Sequence, residues 1–428
     1  MLLPSGRVES VSDAGLQALL ARKFSTTPLG GLKNIQAVPE LHDGWDFHVA
    51  DVLLRLGEHT FPSAGKRLGT LARFAPVLKY MFAFEDDGTG RIVTSDVIQM
   101  AAYRSRGVVS EELGVGFSLI AAERWVRKTL GLTNVRFFDI ELVAGKKYPN
   151  ANHTVGPGRG LRADWLVKAS SATNPQKEFL FLLESKGTGR TNSHEGMLEK
   201  AVQQLAATTI DGRALQGLGV CTYSGFGGLT IYAIDPPGNY AESDRPYLIT
   251  PSPVEGSYGE LREMAGEWRE LPKSLNDEEL ESPQRLFGME LMSEPLSRLT
   301  ALQSALNFAH WTSDYALLES LHKAYGTPRP KRSRSQLETE MRLETSRGLA
   351  TGYALRIPGC GAAIFAGALK EVSSALAEHD FVGATAITAE HDSVRAGHER
   401  PTAEGTESGN LAISDSGAVL ALVNLSAS

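Results

Sequence analysis

Glu184 and Lys186 stand two residues apart at the end of the apolar run Phe179-Leu180-Phe181-Leu182-Leu183. A charge pair ending a buried strand is unfavourable unless solvent, mutual pairing or a cation compensates it. Side chains alternate along a strand, so Leu180, Leu182, Glu184 and Lys186 share one face, and Phe179, Phe181 and Leu183 the other. Twenty residues before Glu184, Asp164 lies in a second strand-like stretch, "LRADWLVKA", separated from the first by the polar turn "SSATNPQK". Pairing of the two strands through that turn brings Asp164 near Glu184. Two carboxylates held together repel unless a cation sits between them. Hard oxygen ligands in that arrangement suit Mg²⁺, with Mn²⁺ as a substitute. A lysine beside them can orient or deprotonate an attacking water. The plain alternative is an exposed ion pair at a strand end, contributing at most about 1 kcal/mol.

The elements that must hold these residues read, from about 108 to 235, as helix, three strands, helix and two strands. The helix is "FSLIAAERWVRKTLGL", and the strands are "NVRFFDIELV", "LRADWLVKA" and "EFLFLLESK". The second helix, "HEGMLEKAVQQLAATTI", is expected to be opened by Asn192 with Glu195 at capping-box spacing. The strands "GLGVCTYS" and "LTIYAID" close the unit. Four regions follow: a mostly helical stretch over 1–105, the core over 106–250, a helical region over 251–335 ending in the basic linker "GTPRPKRSRSQ", and a small α+β region over 336–428. In the last, "GLATGYALRI" reads as a strand, "AAIFAGALKEVSSALAEH" as a helix, "HERPTAEGTESGN" as a mobile loop and "SDSGAVLALVNL" as a hairpin.

Asp164 followed by Glu184-Ser185-Lys186 at the end of an apolar strand resembles the signature of the PD-(D/E)XK, or restriction-endonuclease-like, nuclease superfamily. Ala163 stands where that signature has proline. The order of helices and strands is also similar to that superfamily's core, and the resemblance covers about residues 108 to 235. It implies an α/β fold with a mixed central sheet flanked by helices. It also implies a metal-dependent hydrolase acting on phosphodiesters, with Asp164, Glu184 and Lys186 catalytic and Asp164 and Glu184 holding Mg²⁺. DNA is the substrate expected, and defence against foreign DNA the setting. An RNA-directed or structure-specific nuclease with the same three residues is a rival. So is a non-catalytic scaffold, to which the acidic pI and long flanks lend some weight. In "EKAVQQL", similar to the helix that often follows the motif, Gln204 lies next to the stripe Met197, Ala201, Leu205 and is a candidate for substrate binding. The superfamily often adds a carboxylate from the first helix; Glu112 and Glu123 are the candidates, and spacing does not choose between them.

Arg159, Arg162 and Arg190 around the motif, and Arg124, Arg127 and Lys128 on the helix, are the cations near the core. The helix cluster reads as a wet face; for Arg190 and the "KGTGR" turn, phosphate contact and an ordinary turn weigh equally. The formal net charge of −7 and pI near 5.9 give no global attraction to polyanions, so any such site is local. Two cysteines, Cys221 and Cys360, cannot make a zinc site and read as reduced thiols. The start "MLLPSGRVES" lacks a secretory pattern, and no apolar run reaches membrane-spanning length, so the expectation is a cytoplasmic protein without a membrane partner. Nothing in the residues fixes the oligomeric state, and a homo-oligomer is left open. "EDDGTGRIVTSD" departs from a calcium loop at its first, fifth and last ligands and reads as a tight turn. "SAGKRLGT" lacks the first Gly and the Ser/Thr of a phosphate-binding loop.

Overall fold

The computed structural model describes residues 3–24, 35–60, 73–99, 103–144, 155–156, 162–171, 178–210, 213–225, 228–235, 247–249, 285–325, 338–357, 361–381, 383–388 and 411–424. The expected basic linker, the loop "HERPTAEGTESGN", "SAGKRLGT", Arg159 and Cys360 lie outside them.

The strands in chain order are β1 (Ser5–Val11), β2 (Trp45–His48), β3 (Phe84–Asp86), β4 (Ile92–Thr94), β5 (Leu132–Asp139), β6 (Val155–Gly156), β7 (Trp165–Ser171), β8 (Glu178–Thr188), β9 (Thr209–Ile210), β10 (Arg213–Ala214), β11 (Gly217–Gly225), β12 (Gly228–Ile234), β13 (Tyr247–Ile249), β14 (Glu338–Thr345), β15 (Gly348–Ile357), β16 (Ala362–Leu369), β17 (Leu411–Ile413) and β18 (Ala418–Asn424). The helices are α1 (Ala14–Phe24), α2 (Val49–Thr60), α3 (Ala75–Tyr80), α4 (Asp96–Gln99), α5 (Tyr103–Lys128), α6 (Ile140–Ala144), α7 (His194–Ala207), α8 (Arg285–Thr312), α9 (Tyr315–Tyr325) and α10 (Lys370–Ala377).

A mixed eight-stranded sheet runs β2-β1-β12-β11-β8-β7-β5, with β13 added on β8. β5, β7 and β8 are antiparallel neighbours, whereas β8 and β11 are parallel. Parallel neighbours need a crossover, and α7 supplies it between β8 and β11. Phe181, Leu183, Trp165, Val167 and Val220 pack with Phe117 and Trp125 of α5 on one face. On the other, Leu180, Leu182, Leu166 and Leu205 of α7 form a second cluster. The strand at the centre is therefore apolar on both sides, as a doubly covered strand must be.

Three elements differ from the sequence expectation. The mostly helical first region also supplies β1 and β2, and β1 pairs in parallel with β12, Val11 opposite Tyr232. "NVRFFDIELV" is a strand only to Asp139; there the Asp139 carboxylate accepts the Glu141 N–H at 2.8 Å and starts α6. "AAIFAGALKEVSSALAEH" divides into β16 and α10. Every residue of β16 is buried, and Gly367 lies against Gly352 of β15 where a Cβ would not fit. An all-round apolar run of this length cannot be told from a helix by periodicity.

The last region is an antiparallel sheet β14-β15-β16-β18-β17 with α10, and α8 and α9 of the region before it pack on the same face, so the two expected regions share one core. Its other face shares the main core through Ile364, Ala366, Leu420 and Leu422. At the β17–β18 turn a buried charge network ties it to α2 and α5. Arg55 donates to Glu123 at 2.6 Å and to Glu58 at 3.4 Å. Arg127 bonds both Glu123, at 3.1 Å, and Asp415. Asp415 also accepts the Val135 N–H at 2.7 Å, and Ser414 donates to Glu58 at 3.0 Å. "EDDGTGRIVTSD" forms the β3–β4 hairpin; Asp86 accepts the N–H of Gly88 and Gly90, which makes it a turn residue.

Candidate active site

The register of β7 on β8 decides what meets what. Trp165 opposes Leu183 and Leu166 opposes Leu182, so Asp164, one residue outside β7, arrives beside Glu184. Asp164 accepts the Ser185 N–H at 3.0 Å, which clips the segment before β7 onto the end of β8. The carboxylate pair expected from the sequence is thus brought together, with Asp164 at a strand entrance rather than within the strand.

Glu184 is fully buried, at 0% exposure. One of its oxygens is paired with Lys186 Nζ. The other, Oε2, is buried with no hydrogen-bond donor in place among the described residues. Burial, followed by the Asp164 charge, pushes the Glu184 carboxyl up to about 8. Burial also raises Asp164, against the opposing pull of Lys186; the nearby Asp139 adds to the rise. Lys186, one-fifth exposed, is the member of the trio that reaches outward. Its strand neighbour is Cys221 of β11, a buried free thiol that burial pushes up to about 12.

Two further groups hold Asp164 in place. Gln204, on α7, donates from Nε2 to the Arg162 carbonyl at 2.9 Å. Thr208 accepts the Ala163 N–H at 2.8 Å and donates to the Gln204 carbonyl at 2.7 Å. Gln204, read from sequence as a substrate contact, therefore has its amide on the backbone that precedes Asp164. Thr208 was not singled out from sequence, because its position just past the end of α7 carries no motif.

On the opposite face α5 presses against β8 immediately after Lys186. Gly114 would place a Cβ 2.8 Å from the Gly187 Cα and 3.0 Å from the Lys186 carbonyl oxygen. A Cβ on Gly187 would collide with the Ser110 carbonyl. The glycine of "KGTGR" at 187 thus serves a close helix–strand approach, inside a strand that continues to Thr188. Arg190 follows on an exposed turn, its N–H on Thr188 Oγ1 at 3.1 Å and its carbonyl accepting from Ser193. The α7 N-cap is Ser193, with Asn192 in the left-handed region at φ 66°, so the expected Asn192 cap is displaced by one residue.

Comparison with known proteins places no relative beside this chain. No family model, curated protein or solved structure matches it.

The other charged candidates are occupied elsewhere. Glu112 pairs with Lys79 at 2.8 Å and accepts from Tyr80 at 2.6 Å, and Glu123 belongs to the Arg55–Arg127 network. Arg162 meets Glu141 at 3.4 Å, and Arg124 lies over the Trp45 ring. Among the described residues no group of three or more His, Cys, Asp or Glu side chains could hold a metal ion. The site itself offers two carboxylates, Asp164 and Glu184; Mg²⁺ held by one or two carboxylates would draw its remaining ligands from water and phosphate oxygen. The buried, partnerless Glu184 Oε2 is the atom that such an ion would satisfy. No described helix is long and apolar enough to cross a membrane.

Proposed function

We propose that the protein is a metal-dependent nuclease on a restriction-endonuclease-like core, with Asp164 and Glu184 holding Mg²⁺ and Lys186 serving the attacking water. The observation that carries this reading is the Asp164–Glu184 pair at the mouth of β7 and β8, with Asp164 half-buried, Glu184 fully buried with an orphaned carboxylate oxygen, and Lys186 on the same strand face. Two acids driven together in low dielectric are unfavourable for folding alone, which favours a role that uses their charge. The order helix, three antiparallel strands, crossover helix and parallel strand further supports the core assignment.

When bound, the ion supplies Lewis-acid polarisation of the phosphodiester and stabilises the leaving oxygen. The chain's own residues do the rest. Asp164, fixed by Ser185, Gln204 and Thr208, and Glu184, fixed in the sheet, present their oxygens in one place. Lys186 Nζ, at the edge of solvent, holds the water on the line of attack and donates to the charge that develops on phosphate. Arg190, on the exposed turn beyond β8, steadies the backbone of the nucleic acid. DNA as substrate, and a place in defence against foreign DNA, belong to the proposal by fold analogy alone.

The test is cleavage of plasmid, single-stranded DNA and RNA in Mg²⁺, Mn²⁺ or EDTA, beside Lys186→Ala. Cleavage abolished by EDTA and by the variant is expected. Cleavage that survives both sinks the mechanism.

A further inference from the structure

Lys186 belongs to a row of side chains that crosses the sheet. Cross-strand partners share a face, and so do alternate residues of one strand. Lys186 of β8 pairs with Cys221 of β11, and Thr188 with Tyr223. Cys221 and Tyr223 pair in turn with Tyr232 and Thr230 of β12. Glu184, Lys186, Thr188, Tyr223 and Tyr232 therefore stand on one face of the sheet. Tyr232 is closed off: its ring is stacked on His194 at the start of α7, with centroids 3.9 Å apart and planes at 7°. Tyr223 differs. Among the described residues no ring stacks on it, and it keeps partial exposure.

The Tyr223 ring leans along its own strand. A Cβ on Gly225 would collide alike with Cζ, Cε2 and the hydroxyl oxygen of Tyr223. The missing side chain at Gly225 thus lets the ring tip lie over bare backbone, one face toward the strand and the other away from it. The Tyr223 hydroxyl stands 3.5 Å from Thr191 Oγ1, in the exposed turn that also carries Arg190. A flat ring with a cation in the adjoining turn is the pairing that single-strand grooves use: the cation follows the backbone and the ring stacks a base. A base inside a duplex has its faces covered by its neighbours, so such a ring takes only a base freed from the stack. Strand geometry puts the Tyr223 Cα about 14 Å from that of Glu184, the reach of about two or three nucleotides of extended strand. Resting on the nuclease reading, we infer that Tyr223 stacks an unpaired base two or three nucleotides from the scissile phosphate, which makes single-stranded DNA the substrate class of the Asp164–Glu184–Lys186 site.

The probes are a fluorescein-labelled single-stranded oligonucleotide and its duplex, titrated with the full chain in Mg²⁺ and followed by anisotropy. The Lys186→Ala background keeps both probes intact. The single strand is expected to bind more tightly than the duplex. Tyr223→Ala should weaken single-strand binding by about tenfold or more and leave duplex binding unchanged, whereas Tyr223→Phe, which keeps the ring, should hold single-strand affinity within about twofold. Preference for the duplex, equal loss on both probes, or equal loss in the Ala and Phe variants overturns the inference. Should Tyr223→Ala fail to fold, Tyr223→Leu fills the space over Gly225 without a ring and carries the same comparison, each variant with its thermal midpoint measured. Cleavage by the chain with Lys186 intact separates the two readings. If it cleaves and Tyr223→Ala binds like its parent, the stacking role fails alone; if it cleaves neither probe, the nuclease reading fails and this inference with it.

Discussion

The Ser110 carbonyl rests on Gly187, the residue next to Lys186, so closely that the strand has no room for a Cβ there. Helix α5 and the end of β8 are thus locked by backbone on backbone. Gly187→Ala should displace one or the other and destabilise the protein by about 1–3 kcal/mol, as overpacking does. Urea unfolding measures the loss. Unchanged stability would show that the helix yields freely.

Gln204 separates positioning from substrate contact. Its amide holds the Arg162 carbonyl, two residues before Asp164. Gln204→Leu is expected to lower kcat for nucleic-acid cleavage while leaving KM near the wild-type value, because Asp164 shifts and no phosphate contact is lost. A raised KM at constant kcat would instead make Gln204 a substrate ligand.

Lys186→Ala should lower cleavage by about 10²–10⁴-fold, the range for removal of a group that handles the proton of the nucleophile. Single-turnover rates in Mg²⁺ provide the measurement. Glu184→Gln should abolish the metal dependence along with the activity.

Glu184 also writes a pH dependence into stability. Its carboxyl rises from the ordinary 4.5 to about 8 in the folded chain, through burial first and Asp164 second. A raised carboxyl binds its proton more tightly when folded, so its stabilising contribution is full below about 4.5 and is lost as pH climbs through about 8. In EDTA, the thermal midpoint of wild type should fall relative to Glu184→Gln across that window. A constant difference between the two proteins would contradict it.

Asp415 is the remote test. It is 1% exposed and answers Arg127 and the Val135 N–H from the turn between β17 and β18. Asp415→Ala removes one of Arg127's carboxylates while Glu123 stays, and takes the acceptor from the Val135 N–H, so a loss of about 1–3 kcal/mol is expected. Calorimetry should show a single transition moved down, because this turn shares its network with α2 and α5.

The sequence made β8 readable because an alternation with both faces apolar, ending in charge, has few other structural meanings. Asp164 was legible for a local reason: β7 and β8 are consecutive antiparallel strands, so the start of one meets the end of the other. β1 was not, since its partner Tyr232 lies more than two hundred residues beyond Val11 and only two of its seven residues are buried. Glu112 and Glu123 stayed ambiguous because a helical carboxylate gives no sign of which distant cation will claim it. Lys79 and Arg55 did so, and only tertiary packing states that. β16 misled for the opposite reason: with eight buried residues in a row it has no period to read.

The β17–β18 turn carries a consequence for biosynthesis. Its residues leave the ribosome long after α2 and α5, yet Asp415 answers Arg127 of α5 and Ser414 answers Glu58 of α2, both made hundreds of residues earlier. A nascent or truncated chain that stops before residue 411 would hold these charges in a half-closed interior. The arrival of this turn is thereby felt at helix α5, the element that braces the strand bearing Lys186.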